Sequence, residues 1–437
     1  MKRCSRAIWA TGSIAACEGS PDADGIALGE ELLMYRDVVI VGAGHAGAEL
    51  ASTLRRKGFG GSILLVGDEP VAPYERPPLS KACLLGTIEI ERILLRESDY
   101  WSTAAIELAL GCAATALDAE KDGLQLSDGR HVDFAWCVLA TGGKVRKLNC
   151  PGSDLAGIYY LRTLRDVQAI GAAIGEARRL VVIGGGFIGL EVAAAARQLG
   201  KEVALIETQR RVLARVTSPV VSSFYEALHR QRGVRLLLGS AISGLEGEGQ
   251  VSGVRLADGT VEPADLVVVG IGIDADTGLA EQAGLACDAG ILVDEACRTS
   301  QPRILAIGDC SRHPNDFAGG LWRLESVQHA NDSAGAAADT ILGNPGIYRE
   351  VPTFWSDQYE CRLQTAGLTK DADEIVVRGD AGQVPFSVVY LQEGRVVAVD
   401  AINAPKDFMA ARHLVRSGAR PDRKLLADPS IALKSLA

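Results

Sequence analysis

Gly42-Ala43-Gly44-His45-Ala46-Gly47 follows the apolar run Val38-Val39-Ile40-Val41, and Gly184-Gly185-Gly186-Phe187-Ile188-Gly189 follows Leu180-Val181-Val182-Ile183. The two stretches start 142 residues apart and share one pattern: a buried strand, a G-x-G-x-x-G turn, then an alanine-rich helix (Ala48 to Arg55; Leu190 to Leu199). In such a turn the first glycine (Gly42, Gly184) allows the sharp bend. The second (Gly44, Gly186) lets the backbone approach a pyrophosphate, and the third (Gly47, Gly189) lets helix and strand pack closely. The helix N-terminus supplies amide N–H groups and a positive dipole end. One match is weak, but two in matching context predict two dinucleotide sites in one chain. The implied pairing is a flavin that takes hydride from a nicotinamide.

The length of 437 residues allows two or three domains, and 49 glycines with 47% hydrophobic residues suit a glycine-punctuated α/β fold. A net charge of −10 gives no electrostatic footprint for nucleic acid. No apolar stretch is long enough to span a membrane. The ten cysteines include no C-x-x-C pair and no Cys/His cluster with metal-site spacing, so neither a metal nor a close redox dithiol is expected. They read as buried small apolar residues of a reducing, cytoplasmic compartment. Residues 1–33 carry Lys2, Arg3, Arg6 and an interrupted apolar stretch that makes a poor export signal. They read as a disordered extension, or as sequence upstream of a working start at Met34.

Further along, Ser62-Ile63-Leu64-Leu65-Val66 predicts a second strand, with Asp68 placed 26 residues after Gly42 to meet an adenosine ribose. The prolines of Pro73-Tyr74-Glu75-Arg76-Pro77-Pro78-Leu79-Ser80-Lys81 argue against helix there, and Ser80 reads as the N-cap of a helix beyond. A strand from Phe134 to Leu139 ends in Ala140-Thr141-Gly142-Gly143. Glu207 closes the second strand of the second unit, 23 residues after Gly184, as a ribose diol acceptor. Strand Leu266 to Gly270 ends in Gly270-Ile271-Gly272, and Arg303 to Ile307 ends in Gly308-Asp309. The expected organisation is a discontinuous first dinucleotide domain (34–143 and 274–348), a second one (144–273) and a small α+β domain (349–437).

The order G-x-G-x-x-G, Pro-Pro-Leu-Ser-Lys, Ala-Thr-Gly-Gly, G-x-G-x-x-G-Leu-Glu, Gly-Asp-Cys, Glu-Ser-Val and Phe-Trp-Ser-Asp-Gln-Tyr resembles the NADH-dependent ferredoxin reductases. These are the putidaredoxin reductase-like group, which includes reductase components of aromatic-ring dioxygenases. The resemblance runs from about Tyr35 to the C-terminus. It implies a glutathione-reductase-like flavoprotein with two Rossmann-like domains, with FAD on Ala46, Asp68, Lys81, Ala114, Arg162, Asp309 and Val327. NADH is implied on Gly184, Gly186, Gly189, Glu207 and Gly272. Lys81, paired with Glu191, is the candidate for the N5 side of the flavin, and Trp355 for its outer face on the exit route. Phe187 stands where many relatives carry Tyr, and Ala114 where a larger apolar residue is common.

The resemblance also implies a 2Fe–2S ferredoxin as electron acceptor, serving a P450 or a ring dioxygenase. Lys406, Arg412, His413, Arg416, Arg420, Arg423 and Lys424 form a basic C-terminal region expected to steer an acidic partner, with Arg412 and Arg416 sharing one helical face. Other readings of the same fold stay open at this stage. They are an NADH oxidase, a monodehydroascorbate reductase, a coenzyme A-disulfide reductase relying on Cys83, or a redox sensor of the apoptosis-inducing-factor type.

Overall fold

The computed structural model describes residues 33–436; apart from Leu33, the extension expected at residues 1–33 lies outside them. Strand β1 (Leu33–Val41) starts one residue before Met34, and its Val38, Val39 and Ile40 are fully buried. Helix α1 (His45–Arg56) follows the first glycine turn and leads to β2 (Ile63–Gly67), which is buried throughout. A short helix α2 (Tyr100–Thr103) precedes β3 (Ile106–Leu110), β4 (Ala114–Asp118), β5 (Gly123–Leu126) and the long β6 (His131–Leu139). β1 lies between β2 and β6 in parallel, β3 extends the sheet beyond β2, and β5 and β4 continue antiparallel from β6.

The chain leaves this sheet through β7 (Gly143–Val145). A second, all-parallel sheet is then built from β8 (Ile158–Tyr160), β9 (Arg179–Ile183), β10 (Glu202–Glu207), β11 (Val234–Leu238) and, after an antiparallel ribbon, β15. The ribbon is β12 (Ile242–Glu248), β13 (Gln250–Leu256) and β14 (Val261–Pro263), and β15 is Leu266–Val269. The sheet order is β11-β10-β9-β15-β8, and α3 (Leu164–Glu176), α4 (Phe187–Gln198) and α5 (Pro219–Gln231) accompany it. β16 (Ile273–Ala275) carries the chain back, antiparallel to β7, with Lys144 opposite Asp274. Arg146 to Asp274 (2.8 Å) and Lys144 to Asp276 (2.7 Å) tie the two crossings together.

After α6 (Gly278–Gln282) and β17 (Ile291–Leu292), β18 (Ile304–Ala306) pairs with β6 and completes the first sheet. β19 (Ser311–Asn315) and β20 (Gly320–Trp322) form a small hairpin, and α7 (Val327–Ile341) lies against α1. The α1–α7 contact is rich in alanine (Ala48 and Ala51 against Ala330, Ala334 and Ala337), which lets two helices approach closely over the sheet. Beneath β19, the His313 and His329 rings stack at 4.6 Å, with Tyr348 Oη 3.0 Å from His329 Nδ1.

The last unit is an antiparallel sheet in the order β21-β22-β25-β24-β23. Its strands are β21 (Thr353–Gln358), β22 (Cys361–Gly367), β23 (Glu374–Arg378), β24 (Phe386–Gln392) and β25 (Arg395–Ile402). Helices α8 (Pro405–Ser417) and α9 (Arg423–Ala427) follow. This sheet shares one apolar core with the second unit, because Phe386, Tyr390 and Ile402 belong to the same buried cluster as Leu190, Val221 and Tyr225. A polar knot closes the joint. Tyr390 Oη donates to the fully buried Asp400 (2.6 Å) and accepts the Ser218 N–H (2.9 Å) at the start of α5.

One sequence expectation is corrected. Pro77–Ser80 is itself a 3-10 turn, opened by its two prolines, and Ser80 ends that turn without capping a helix. Proline is suited to the first positions of a helical turn: its φ is already set and its missing N–H would have no partner there.

Candidate active site

The two glycine turns repeat each other closely. Gly42 (φ +116°) and Gly184 (φ +110°) both adopt backbone unsuited to side chains. A Cβ on Gly42 would lie 2.2 Å from the Ala140 carbonyl oxygen, and one on Gly184 2.3 Å from that of Gly270. In each unit the first turn is therefore pressed against the end of the neighbouring strand. A Cβ on Gly47 or Gly189 would strike the turn's own first carbonyl at 2.0 Å, while Gly44 and Gly186 face open space. Gly44 and Gly186 are also the N-caps of α1 and α4, with no side chain on the first-turn amides. Those amides are left to a ligand, and the geometry fits a pyrophosphate.

A cleft opens over the first turn. Gly42, Gly44, Ala46, Asp68, Lys81, Arg162, Asp309 and Val327 all line it. Phe354 and Trp355 of β21, and Ile188 and Glu191 of α4, reach the same cleft. All three units thus contribute to one site. Asp68 is exposed at the end of β2, where a sugar diol has access to its carboxylate. Arg162 and Asp309 pair at 3.2 Å, and the Ser333 hydroxyl lies 3.1 Å from the Gly308 N–H. Val327 opens α7, whose N-cap Ser326 accepts the His329 N–H at 3.1 Å.

Lys81 Nζ lies 2.8 Å from Glu191 Oε2, and the carboxylate is 2% exposed. Ser80 Oγ donates to the same oxygen (2.5 Å) and Ser356 Oγ to Glu191 Oε1 (2.6 Å). Phe187, the aromatic after the second turn, stacks on Phe354 with ring centroids 4.4 Å apart. Glu207 Oε2 accepts the Gly185 N–H (2.6 Å) and Oε1 the Gln209 N–H (2.7 Å), fixing the carboxylate beside the second turn. Gly272 (φ +103°) faces the guanidinium groups of Arg146 and Arg215 across that turn.

One expected residue and one expected basic face are placed differently. Ala114 is half-buried at the start of β4 and does not line the cleft. Three of the basic C-terminal residues are held in ion pairs: Arg412 and Arg416 both reach Glu350, and Arg423 pairs with Glu374 at 2.9 Å. Arg412 and Arg416 do share a face of α8, but Glu350, from the segment before β21, partly offsets their charge.

Other cleft residues lie within the sequence motifs but carry no role legible there. Glu69 accepts from Tyr74 Oη (2.7 Å) and pairs with Arg76 (3.0 Å), and Arg76 donates to the Arg162 carbonyl (2.5 Å). This network holds the proline-rich turn against the second unit. His45 also lines the cleft, where burial, then the charges of Arg76 and Arg162, push its pKa down to about 4. Cys83 is not among the lining residues, and burial raises its thiol pKa. Among the described residues the cleft contains no cysteine, so the disulfide chemistry of a coenzyme A-disulfide reductase has no nucleophile there.

Residues 36–334 match the model of the pyridine nucleotide-disulphide oxidoreductase family, and residues 353–437 match a reductase C-terminal domain. The chain is 47% identical over 403 residues to the 5,5'-dehydrodivanillate O-demethylase ferredoxin reductase subunit of a Sphingobium species, covering 92% of this chain and 98% of that one. It is 43% identical over 406 residues to putidaredoxin reductase of Pseudomonas putida, covering 92% and 96%. A putidaredoxin reductase solved in covalent complex with putidaredoxin superposes with a TM-score of 0.89 at 43% identity, covering 92% of this chain and 98% of the other. With a cleft built for a dinucleotide and no cysteine in it, the chain belongs to the pyridine nucleotide-disulphide oxidoreductase family, among its ferredoxin reductases.

Proposed function

We propose that this protein is an NADH:ferredoxin oxidoreductase that passes electrons from NADH through FAD to a 2Fe–2S ferredoxin, which serves a P450 or an aromatic-ring dioxygenase. The observation that carries the reading is the meeting of the two glycine-turn units at one cleft, where the start of α4 reaches the cavity over the first turn. In this reading residues 34–143 and 274–348 hold FAD, 144–273 hold NADH, and 349–437 complete the site in a cytoplasmic enzyme. Gly42, Gly44, Ala46 and Gly47 would receive the FAD pyrophosphate, Asp68 the adenosine ribose, and Arg162, Asp309 and Val327 the remainder. Gly184, Gly186, Gly189, Glu207 and Gly272 would receive NADH.

Bound FAD supplies the conversion of a two-electron hydride donor into single electrons. The chain's own work is to bind, orient and stabilise charge. Lys81 places a fixed ammonium at the cleft wall, where it favours developing negative charge. Glu191 orients that ammonium, and Trp355 screens the cleft beside it.

The test is to purify the protein with its flavin and follow cytochrome c reduction by NADH with and without a 2Fe–2S ferredoxin. Turnover that requires the ferredoxin supports the reading. Rapid NADH oxidation with oxygen or a disulfide as sole acceptor, and no transfer to ferredoxin, would overturn it.

A further inference from the structure

Behind Glu191 runs a buried chain of hydrogen bonds that the reaction as described does not use. Ser356 Oγ donates to Glu191 Oε1 at 2.6 Å. A serine hydroxyl has one proton, so Ser356 can only accept from its other neighbour, the Gln358 Nε2–H at 3.2 Å. Gln358 Oε1 is then left facing His229 Nε2 at 2.9 Å, and that nitrogen must carry a proton. The opposite nitrogen, His229 Nδ1, is buried without a partner, as suits the bare nitrogen of a neutral imidazole. Ser356, Gln358 and His229 are all fully buried. Burial pushes the His229 pKa down to about 4, which keeps the ring neutral. Every donor in the chain points one way, toward the Glu191 carboxylate, which also receives Ser80 and faces Lys81. That polarity suits an acceptor-only group, and with the Lys81 ammonium on its other oxygen the Glu191 carboxylate is such a group.

We propose that Ser356, Gln358 and His229 are positioning residues that hold Glu191 as the oriented anion against which the Lys81 ammonium is set. Ser356, Gln358 and, from helix α5, His229 thereby take part in tuning the flavin without lining the cleft themselves. The inference rests on the reading that Lys81 faces the flavin, so that reading is tested beside it.

Three measurements on the FAD-loaded protein decide the matter. Ser356→Ala is expected to slow flavin reduction at saturating NADH by about tenfold, the scale of one hydrogen bond to a charged group. It should leave the KM for NADH unchanged and make the flavin midpoint potential more negative, and Ser356→Thr should restore both rate and potential. In the unmodified holoprotein, 15N-histidine NMR should show His229 as the Nε2–H tautomer, its signal identified by its loss in His229→Gln. A His229 in the Nδ1–H or doubly protonated form overturns the proposal. So does a Ser356→Ala protein with unaltered rate and potential while Lys81→Met is slow, in which case the Lys81 reading stands alone. Unaltered flavin reduction in Lys81→Met removes the Lys81 reading, and this inference with it.

Discussion

At the scale of single residues, Glu207 is the side chain we propose to set which coenzyme the second turn accepts. Its carboxylate is already fixed by the Gly185 and Gln209 amides, so it presents an oriented acceptor to a ribose diol and repels a 2′-phosphate. Of the two arginines that follow, Arg211 is engaged by the Ala214 and Thr217 carbonyls and by Ser222, while Arg210 is exposed. NADH should therefore give the higher kcat/KM, and Glu207→Ala should lower it by about tenfold or more while narrowing the ratio to NADPH. Equal use of both coenzymes by the unmodified protein would refute this. Lys81→Met makes a second case. It should slow stopped-flow flavin reduction far more than it weakens FAD retention, because a fixed charge matters most where charge develops.

Secondary-structure elements show what the sequence could and could not disclose. The two strand–turn–helix units were legible because each step depends on local chemistry: an apolar run, three glycines with distinct tasks, and an alanine-rich helix. Their equivalence makes a differential test. Gly42→Ala should give a protein that loses its flavin. Gly184→Ala should keep the flavin yet no longer bind NADH, as read by flavin absorbance and by titration with the coenzyme. Each added Cβ meets a carbonyl oxygen that belongs to a strand end and cannot yield. The strands Ile106–Leu110, Ala114–Asp118 and Gly123–Leu126 leave little mark on the sequence because they are short and lack clean alternation of burial. The 3-10 turn at Pro77–Ser80 runs against the helix-breaking sense of its prolines because proline excludes the interior of a helix and not its first turn. The bond from Ser356 to Glu191 spans 165 residues and two sheets, so no local pattern encodes it.

The behaviour of the whole molecule in acid follows from its buried imidazoles. Burial lowers the pKa of His329 and His229 to about 4 and that of His313 to about 3, with the neighbouring His329 adding to the last. In the unfolded chain each titrates near 6.5, so below that pH the unfolded state binds more protons. The stabilisation is complete above about pH 6.5 and is lost as pH falls toward about 4. For His329 and His229 this amounts to roughly 3 kcal/mol each. Urea denaturation across that range should show a steep fall in stability, with a shallower slope in His329→Gln. Partner docking belongs to the same scale. Because Glu350 offsets Arg412 and Arg416, reversing both to Glu should raise the KM for ferredoxin by a few-fold, roughly the effect of rim charges. Flavin reduction by NADH should be untouched, and an unchanged KM would place the docking face elsewhere.

The paired crossings β7 and β16 have a consequence for the order in which the chain is made. The second parallel sheet is drawn entirely from residues 158–269, so every strand it needs has been synthesised before the chain turns back. The first sheet begins 125 residues earlier but waits for Ile304–Ala306 to flank β6 and for Val327–Ile341 to cover α1. On the ribosome, the sheet of the dinucleotide unit encoded second is thus the first whose strands are all present, although its helix-side core still awaits Phe386, Tyr390 and Ile402 of the last sheet. The unit encoded first must keep Val38–Val41 and the alanine face of α1 partly uncovered while some 165 further residues emerge. Aggregation during synthesis, and the benefit of a chaperone or of early flavin, therefore concentrate on the N-terminal strands.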